Sequence, residues 1–131
     1  MIKEVTIGGK KCRLKTSAAL PSIYRDKFKR DIIIDMNDIF SYIGKRDKTN
    51  AEHADDENYK PLVGLLPEHY SSIERIAYAM HKYGDPSQPD DFYEWLESFR
   101  WTDVYDFFPY IMEMWVNEIR EIAPAKKKEE K

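Results

Sequence analysis

The chain has 131 residues, of which 42% are hydrophobic and 34% charged, with a formal net charge of −3. That size suits one domain around one core, and the balance is that of a globular chain, not a disordered one. Apolar runs are only a few residues long, which excludes a membrane-spanning helix. Met1-Ile2 is followed at once by Lys3 and Glu4, which is not the pattern of a secretory signal. The single cysteine, Cys12, has no partner for an internal disulfide. The expectation is a cytoplasmic protein. The charge is unevenly spread: residues 1–48 hold 12 Lys/Arg against 6 Asp/Glu, and residues 49–131 hold 9 against 18. Such halves either steer a charged partner or a second copy, or neutralise each other within the fold.

In chain order, Ile2–Ile7 and Lys10–Lys15 flank Gly8-Gly9, the residues of a two-residue hairpin turn with positive φ angles. Leu20, Ile23, Tyr24 and Phe28 then follow helical spacing, with Thr16 or Ser17 as a capping hydroxyl and Pro21 close to the helix start. A second amphipathic run holds Ile32, Met36, Ile39, Phe40 and Ile43, with Asp31 as cap and Gly44 as stop. Residues 45–61 are almost wholly polar and read as an exposed loop. Tyr70, Ile73, Ile76, Ala77 and Met80 mark a third helix from Pro67, ending before Gly84. A short fourth helix, capped by Asp90, carries Phe92, Trp95, Leu96 and Phe99. Thr102 caps one more turn, and Pro109 opens a last helix with Ile111, Met112, Trp115, Val116 and Ile119. Ala123-Pro124 ends it before a charged tail, 126–131. The fold class expected is mainly α: one domain, 1–125, of about five helices with an N-terminal β-hairpin over 2–15.

No catalytic, cofactor or metal motif stands out. His53, His69 and His81 lack metal-ligand spacing, and the acidic stretch His53–Glu57 lacks the alternating ligands and turn glycine of a calcium loop. Cys12 has no histidine near it in sequence and reads as structural. Gly8-Gly9 has neither the lysine nor the following helix of a phosphate loop. The chain does not read as an enzyme. Lys10, Lys11, Arg13, Lys15, Arg25, Lys27, Lys29 and Arg30 raise a nucleic-acid reading, but the acidic balance and the lack of a helix-turn-helix signature oppose it.

The aromatic content is more telling. Residues 92–115 hold ten aromatics, and large rings with Met are the residues that anchor interfaces. Trp95, Leu96 and Trp115 are assigned to the core. Trp101, Tyr105, Phe108 and Met114 are the candidate partner-binding residues.

Thr16-Ser17-Ala18-Ala19, then Tyr24-Arg25, Phe28 and Arg30-Asp31, resemble the first helical segment of tail assembly chaperones from long-tailed bacteriophages or prophages, especially those of Gram-positive hosts. The Ala77–Met80 helix, the Trp95-Leu96-x-x-Phe99 helix and the closing helix with Trp115 fall in a similar order. Lys29 stands where such proteins often have Gly, and the 45–61 loop is longer than usual. The resemblance implies a cytoplasmic protein that keeps a long tape measure protein soluble and recruits major tail (tube) subunits, then leaves the finished particle. It needs no cofactor and no membrane. Many such proteins have a frameshifted long form, and Lys126-Lys127-Lys128 implies an A-rich codon run of the kind on which ribosomes slip. A nucleic-acid-binding regulator and a head–tail connector subunit are the alternatives.

Overall fold

A computed structural model describes residues 1–49 and 64–120. The architecture is mainly α: five helices and an N-terminal two-stranded antiparallel hairpin. Strand β1 (Ile2–Ile7) pairs with β2 (Lys10–Lys15) in a register that sets Ile7 opposite Lys10 and Val5 opposite Cys12. Gly8 and Gly9 take φ of +56° and +81°, the double left-handed turn that matches the twist of the strands. Val5, Ile7, Cys12 and Leu14 face inward and are all buried, so the hairpin is one wall of the core.

Helix α1 (Leu20–Phe28) carries Pro21 in its first turn, where a missing N–H costs nothing. Neither Thr16 nor Ser17 caps it: the N-cap is Ala19, and the Ser17 hydroxyl instead accepts from the Ala19 N–H. Lys29 closes the helix in the left-handed conformation, φ +56° and ψ +38°, with its N–H bonded to the Arg25 carbonyl. That conformation is unstrained for glycine and unfavourable for lysine. Helix α2 (Ile32–Thr49) begins with the Asp31 carboxylate accepting from the Ile33 and Ile34 N–H groups, as expected of a cap.

Gly44 does not stop α2, which runs on to Thr49. One glycine within a helix costs about 1 kcal/mol, too little to end a helix whose preceding turns are anchored by Ile39 and Ile43. Residues 45–49 of the expected 45–61 loop are therefore helical. Its remainder, with the His53–Glu57 stretch, lies outside the described residues, as does the 126–131 tail.

Helix α3 (Pro67–Gly84) is the central element. Ile73, Ile76, Ala77, Tyr78, Ala79, Met80 and His81 are all buried, so it is covered on every side. Its last residue, Gly84, lies so close to β2 that a side-chain carbon there would overlap the Arg13 carbonyl. Helix α4 (Phe92–Glu97) is capped by Asp91, one residue beyond the expected Asp90, through its carboxylate and the Glu94 N–H at 2.9 Å. A 3-10 turn (Asp103–Phe107), with no side-chain cap from Thr102, leads directly into α5 (Phe108–Arg120).

A buried carboxylate ties the first three helices together. Asp35 of α2 is 3% exposed. It accepts from Tyr24 of α1 at 2.6 Å and from the Arg30 guanidinium at 3.0 and 2.8 Å. Arg75 of α3 stands 3.9 Å away and donates to the Tyr24 oxygen at 3.2 Å. Burial alone would push the Asp35 carboxyl up, but these hydrogen bonds and the two guanidinium charges outweigh it and hold it below the usual carboxylate value. Burial and the Asp35 hydrogen bond push the Tyr24 hydroxyl well above its ordinary value.

Two outcomes are expected. Asp35→Asn lowers stability at pH 7 by about 2–3 kcal/mol, the scale of hydrogen bonds to a charged partner. Because the folded-state value is depressed, the Asp35 contribution is complete above about pH 4 and is lost as pH falls through the lower folded value. Urea melts over pH 7 to 3 should show this acid limb in the native chain and a shallower one in the Asn variant. Lys29→Gly relieves the left-handed lysine but frees the unfolded chain, for a net gain of about 0.5–1 kcal/mol. Lys29→Val should cost at least as much, by the same urea measurement.

Candidate partner-binding surface

The aromatic segment divides sharply between core and surface. Trp95 and Phe107 are closed to solvent: Trp95 meets Tyr78 and Phe99 edge to face, stacks with Phe92 and tilts against Phe107, and Phe107 meets Phe99 edge to face, with ring centroids 4.9–6.5 Å apart. Such contacts add to the area each ring buries. Leu96 and Trp115 are half-buried against the same cluster.

Of the four candidate residues, only Trp101 is open to solvent. It is 90% exposed, on the turn between α4 and the 3-10 turn, beside an Arg100–Asp103 pair at 3.9 Å. Tyr105 is half-buried: it stacks edge-on with Tyr70 at 5.4 Å and donates to the Glu74 carboxylate at 2.7 Å. Burial and that carboxylate push its hydroxyl up to about 12. Phe108 and Met114 are not exposed as expected: they are 1% and 0% exposed, because α5 turns both inward, Phe108 into the core and Met114 onto the wall of a cleft. Phe108 packs with Ile39, Leu65 and Ile73, and Met114 with the main cluster. Periodicity alone offered a signal here: Phe108, Ile111, Met114 and Trp115 are spaced three to four apart, the stripe that faces a core.

The segment reading missed a second feature. An apolar cleft of about 170 Å³ opens among α1, the start of α2 and α5. Leu20 and Pro21 of α1, Ile32, Ile33 and Met36 of α2, and Ile111, Met114, Trp115 and Glu118 of α5 line it. Ile76 and Met80 of α3 complete the lining. Thr16 closes one end by donating to the Glu118 carboxylate at 2.6 Å. Met36, Met80 and Met114 give the cleft an adaptable lining, since unbranched thioethers repack at little cost. Ile33 on one bank is 47% exposed; Ile34 and Val116, also in α2 and α5, are 58% and 37% exposed. Three exposed aliphatic residues on the helices that flank a cleft form a surface suited to an apolar side chain from a partner helix.

Much of the basic cluster is engaged. Arg30 binds Asp35, Lys10 donates to the Ser98 carbonyl, Lys27 to the Asp90 carbonyl, and Lys29 to the Asp26 carbonyl. Lys3–Glu113 at 2.7 Å pairs a cation of the basic part with a carboxylate of the acidic part, whereas Arg75–Asp35 pairs the minority charge of each. Arg25 stays exposed, while Arg30 reaches back to Asp35 of α2. Cys12 is fully buried, and burial pushes its thiol up. His69 accepts the Leu66 N–H and His81 accepts from Trp95, so both serve the fold. Among the described residues no group of three or more His, Cys, Asp or Glu could hold a metal ion, and no helix is long and apolar enough to cross a membrane. No protein-family model, curated protein or solved structure matches the chain.

The two classes of aromatic separate by stability. Phe108→Ala removes a packed ring and should cost about 3–5 kcal/mol in urea unfolding. Trp101→Ala, at an exposed position, should stay within about 0.5 kcal/mol of the native chain.

Proposed function

We propose that the protein is a tail assembly chaperone of a long-tailed bacteriophage or prophage, acting by contact and not by catalysis. Its work is to bind and solubilise the tape measure protein and to recruit tail tube subunits in the host cytoplasm. The observation that carries this reading is the apolar cleft between α1, α2 and α5, bordered by exposed Ile33. A tape measure protein is long and coiled-coil forming, so it presents amphipathic helices whose apolar stripe needs cover until assembly. A methionine-lined cleft takes one large side chain of such a stripe without demanding a fixed shape. Trp101 adds an exposed ring of the kind that dominates interface energy.

The wording of residues 16–31 supports the family, and the geometry of Lys29 removes one departure from it. The left-handed conformation of Lys29 is the one that a glycine at this place would adopt most readily. Within the basic cluster Arg30 is taken up by Asp35, and the acidic balance of the whole chain weighs against the nucleic-acid reading.

Co-expression with the tape measure protein tests this. The native chain should hold the partner in the soluble fraction, co-purify with it, and be missing from purified particles. Ile33→Asp and Trp101→Ala should each weaken binding by roughly tenfold or more, about 1.4 kcal/mol, with unfolding midpoints unchanged. Native-strength binding by both folded variants would reject this surface. Failure of the native chain to bind at all, or its retention in particles as a connector would be, rejects the function.

A further inference from the structure

Helix α4 is six residues long, and Trp95 is its one buried residue, with Phe92 and Leu96 partly buried beside it. Trp95 is closed to solvent, and its ring N–H donates to Nδ1 of His81 at 3.0 Å. An imidazole that accepts at Nδ1 carries its proton on Nε2. That Nε2 is buried and meets no hydrogen-bonding partner. Rings surround it: Trp95 and Phe107 at 6.0 Å and Phe99 at 6.4 Å from the imidazole. The setting accepts only the neutral ring. A proton on Nδ1 would set N–H against N–H at the Trp95 bond and leave both imidazolium donors without an acceptor.

The charged groups around His81 do not rescue that state. Asp85, past the end of α3, favours the cation, but its carboxylate is taken up by Ser87 and Gln88. Lys10 of β2 opposes it, held over the Phe99 ring at 4.8 Å and bonded to the Ser98 carbonyl. From α4 and the 3-10 turn come only rings. Burial outweighs Asp85 and keeps His81 below its ordinary value.

We infer that the Trp95–His81 contact is an acid-sensitive latch: protonation of His81 frees α4 and the following segment through Trp101, while α1–α3 stay tied by Asp35. The latched state binds one proton fewer than the released state, whose histidine titrates near 6.5. The latch is therefore at full strength above about pH 6.5 and weakens as pH falls below it, about tenfold in its opening equilibrium per pH unit. Asp35, depressed below the usual carboxylate value, keeps its charge throughout this window.

Amide hydrogen exchange of the full chain at pH 7.5 and pH 5.0, expressed as protection factors, tests it, together with the Trp95 indole N–H resonance. Protection across 92–99 should fall at least tenfold at pH 5.0, with the indole signal shifting in step, while α3 amides keep their protection. His81→Gln, which retains an acceptor and does not titrate, should abolish the fall. Equal protection at the two pH values overturns the inference. So does the same fall in His81→Gln, or an equal fall in α3, which would mean global unfolding. Should the Gln variant fail to fold, the contrast between α4 and α3 in the native chain decides the matter.

Discussion

A carboxylate closed to water must find its donors in the protein, and Asp35 finds them in Tyr24 of α1 and in Arg30 of the turn that follows. Arg75 of α3 adds its charge at 3.9 Å and donates to the Tyr24 hydroxyl. Apolar packing sets how much surface is covered but is indifferent to direction. Hydrogen bonds to an ionised group are directional, so this cluster fixes how α1, α2 and α3 sit against one another. The left-handed Lys29 belongs to the same constraint. It turns the chain sharply after α1, which lets Arg30 reach back to α2 one turn into that helix.

Around this tie the core has two compositions. Next to the hairpin it is aliphatic, with Val5, Ile7 and Leu14 against α3. Towards α4 it becomes a slab of rings, in which Trp95 touches Tyr78, Phe92, Phe99 and Phe107. A helix as short as α4 has little stability of its own. It persists because Phe92, Trp95 and Leu96 pack on the core, Asp91 caps it, and the buried Trp95 also bonds to His81. The opposite situation holds at the cleft. There α2 and α5 meet through Ile39, Phe108 and Met112, while Ile33 and Trp115 line the cleft and leave apolar surface uncovered.

The helices and hairpin were legible in the sequence because each carries its own punctuation. Gly8-Gly9, Pro21, Asp31, Pro67 and Pro109 all lie at or next to element ends. Two caps were misassigned, at Thr16 or Ser17 and at Asp90, while Thr102 holds its expected cap position without a side-chain bond. Each misassigned position sits within a few residues of another polar or small group able to serve, and local geometry chooses between them. Gly44 misled for a different reason: a local cost of about 1 kcal/mol was weighed without the tertiary anchoring that offsets it. The interface residues were harder. Aromatic content signals large buried area wherever that area is covered, and it does not say by what. Phe108 and Trp101 are therefore alike in composition and opposite in exposure.

What the sequence determined by itself was the kind and order of the elements, because periodicity, turn glycines and prolines act over a few residues. It also placed Tyr24, Arg30 and Asp31 close together in the stretch 16–31, where they proved to join α1 to α2. Only the tertiary structure decided which charges are buried, which rings reach water and where a cleft opens among the helices. Those outcomes depend on neighbours far apart along the chain: Tyr24 with Arg75, His81 with Trp95, Ile33 with Trp115. No local pattern encodes such distances, since packing many elements at once selects among arrangements that each element alone would permit.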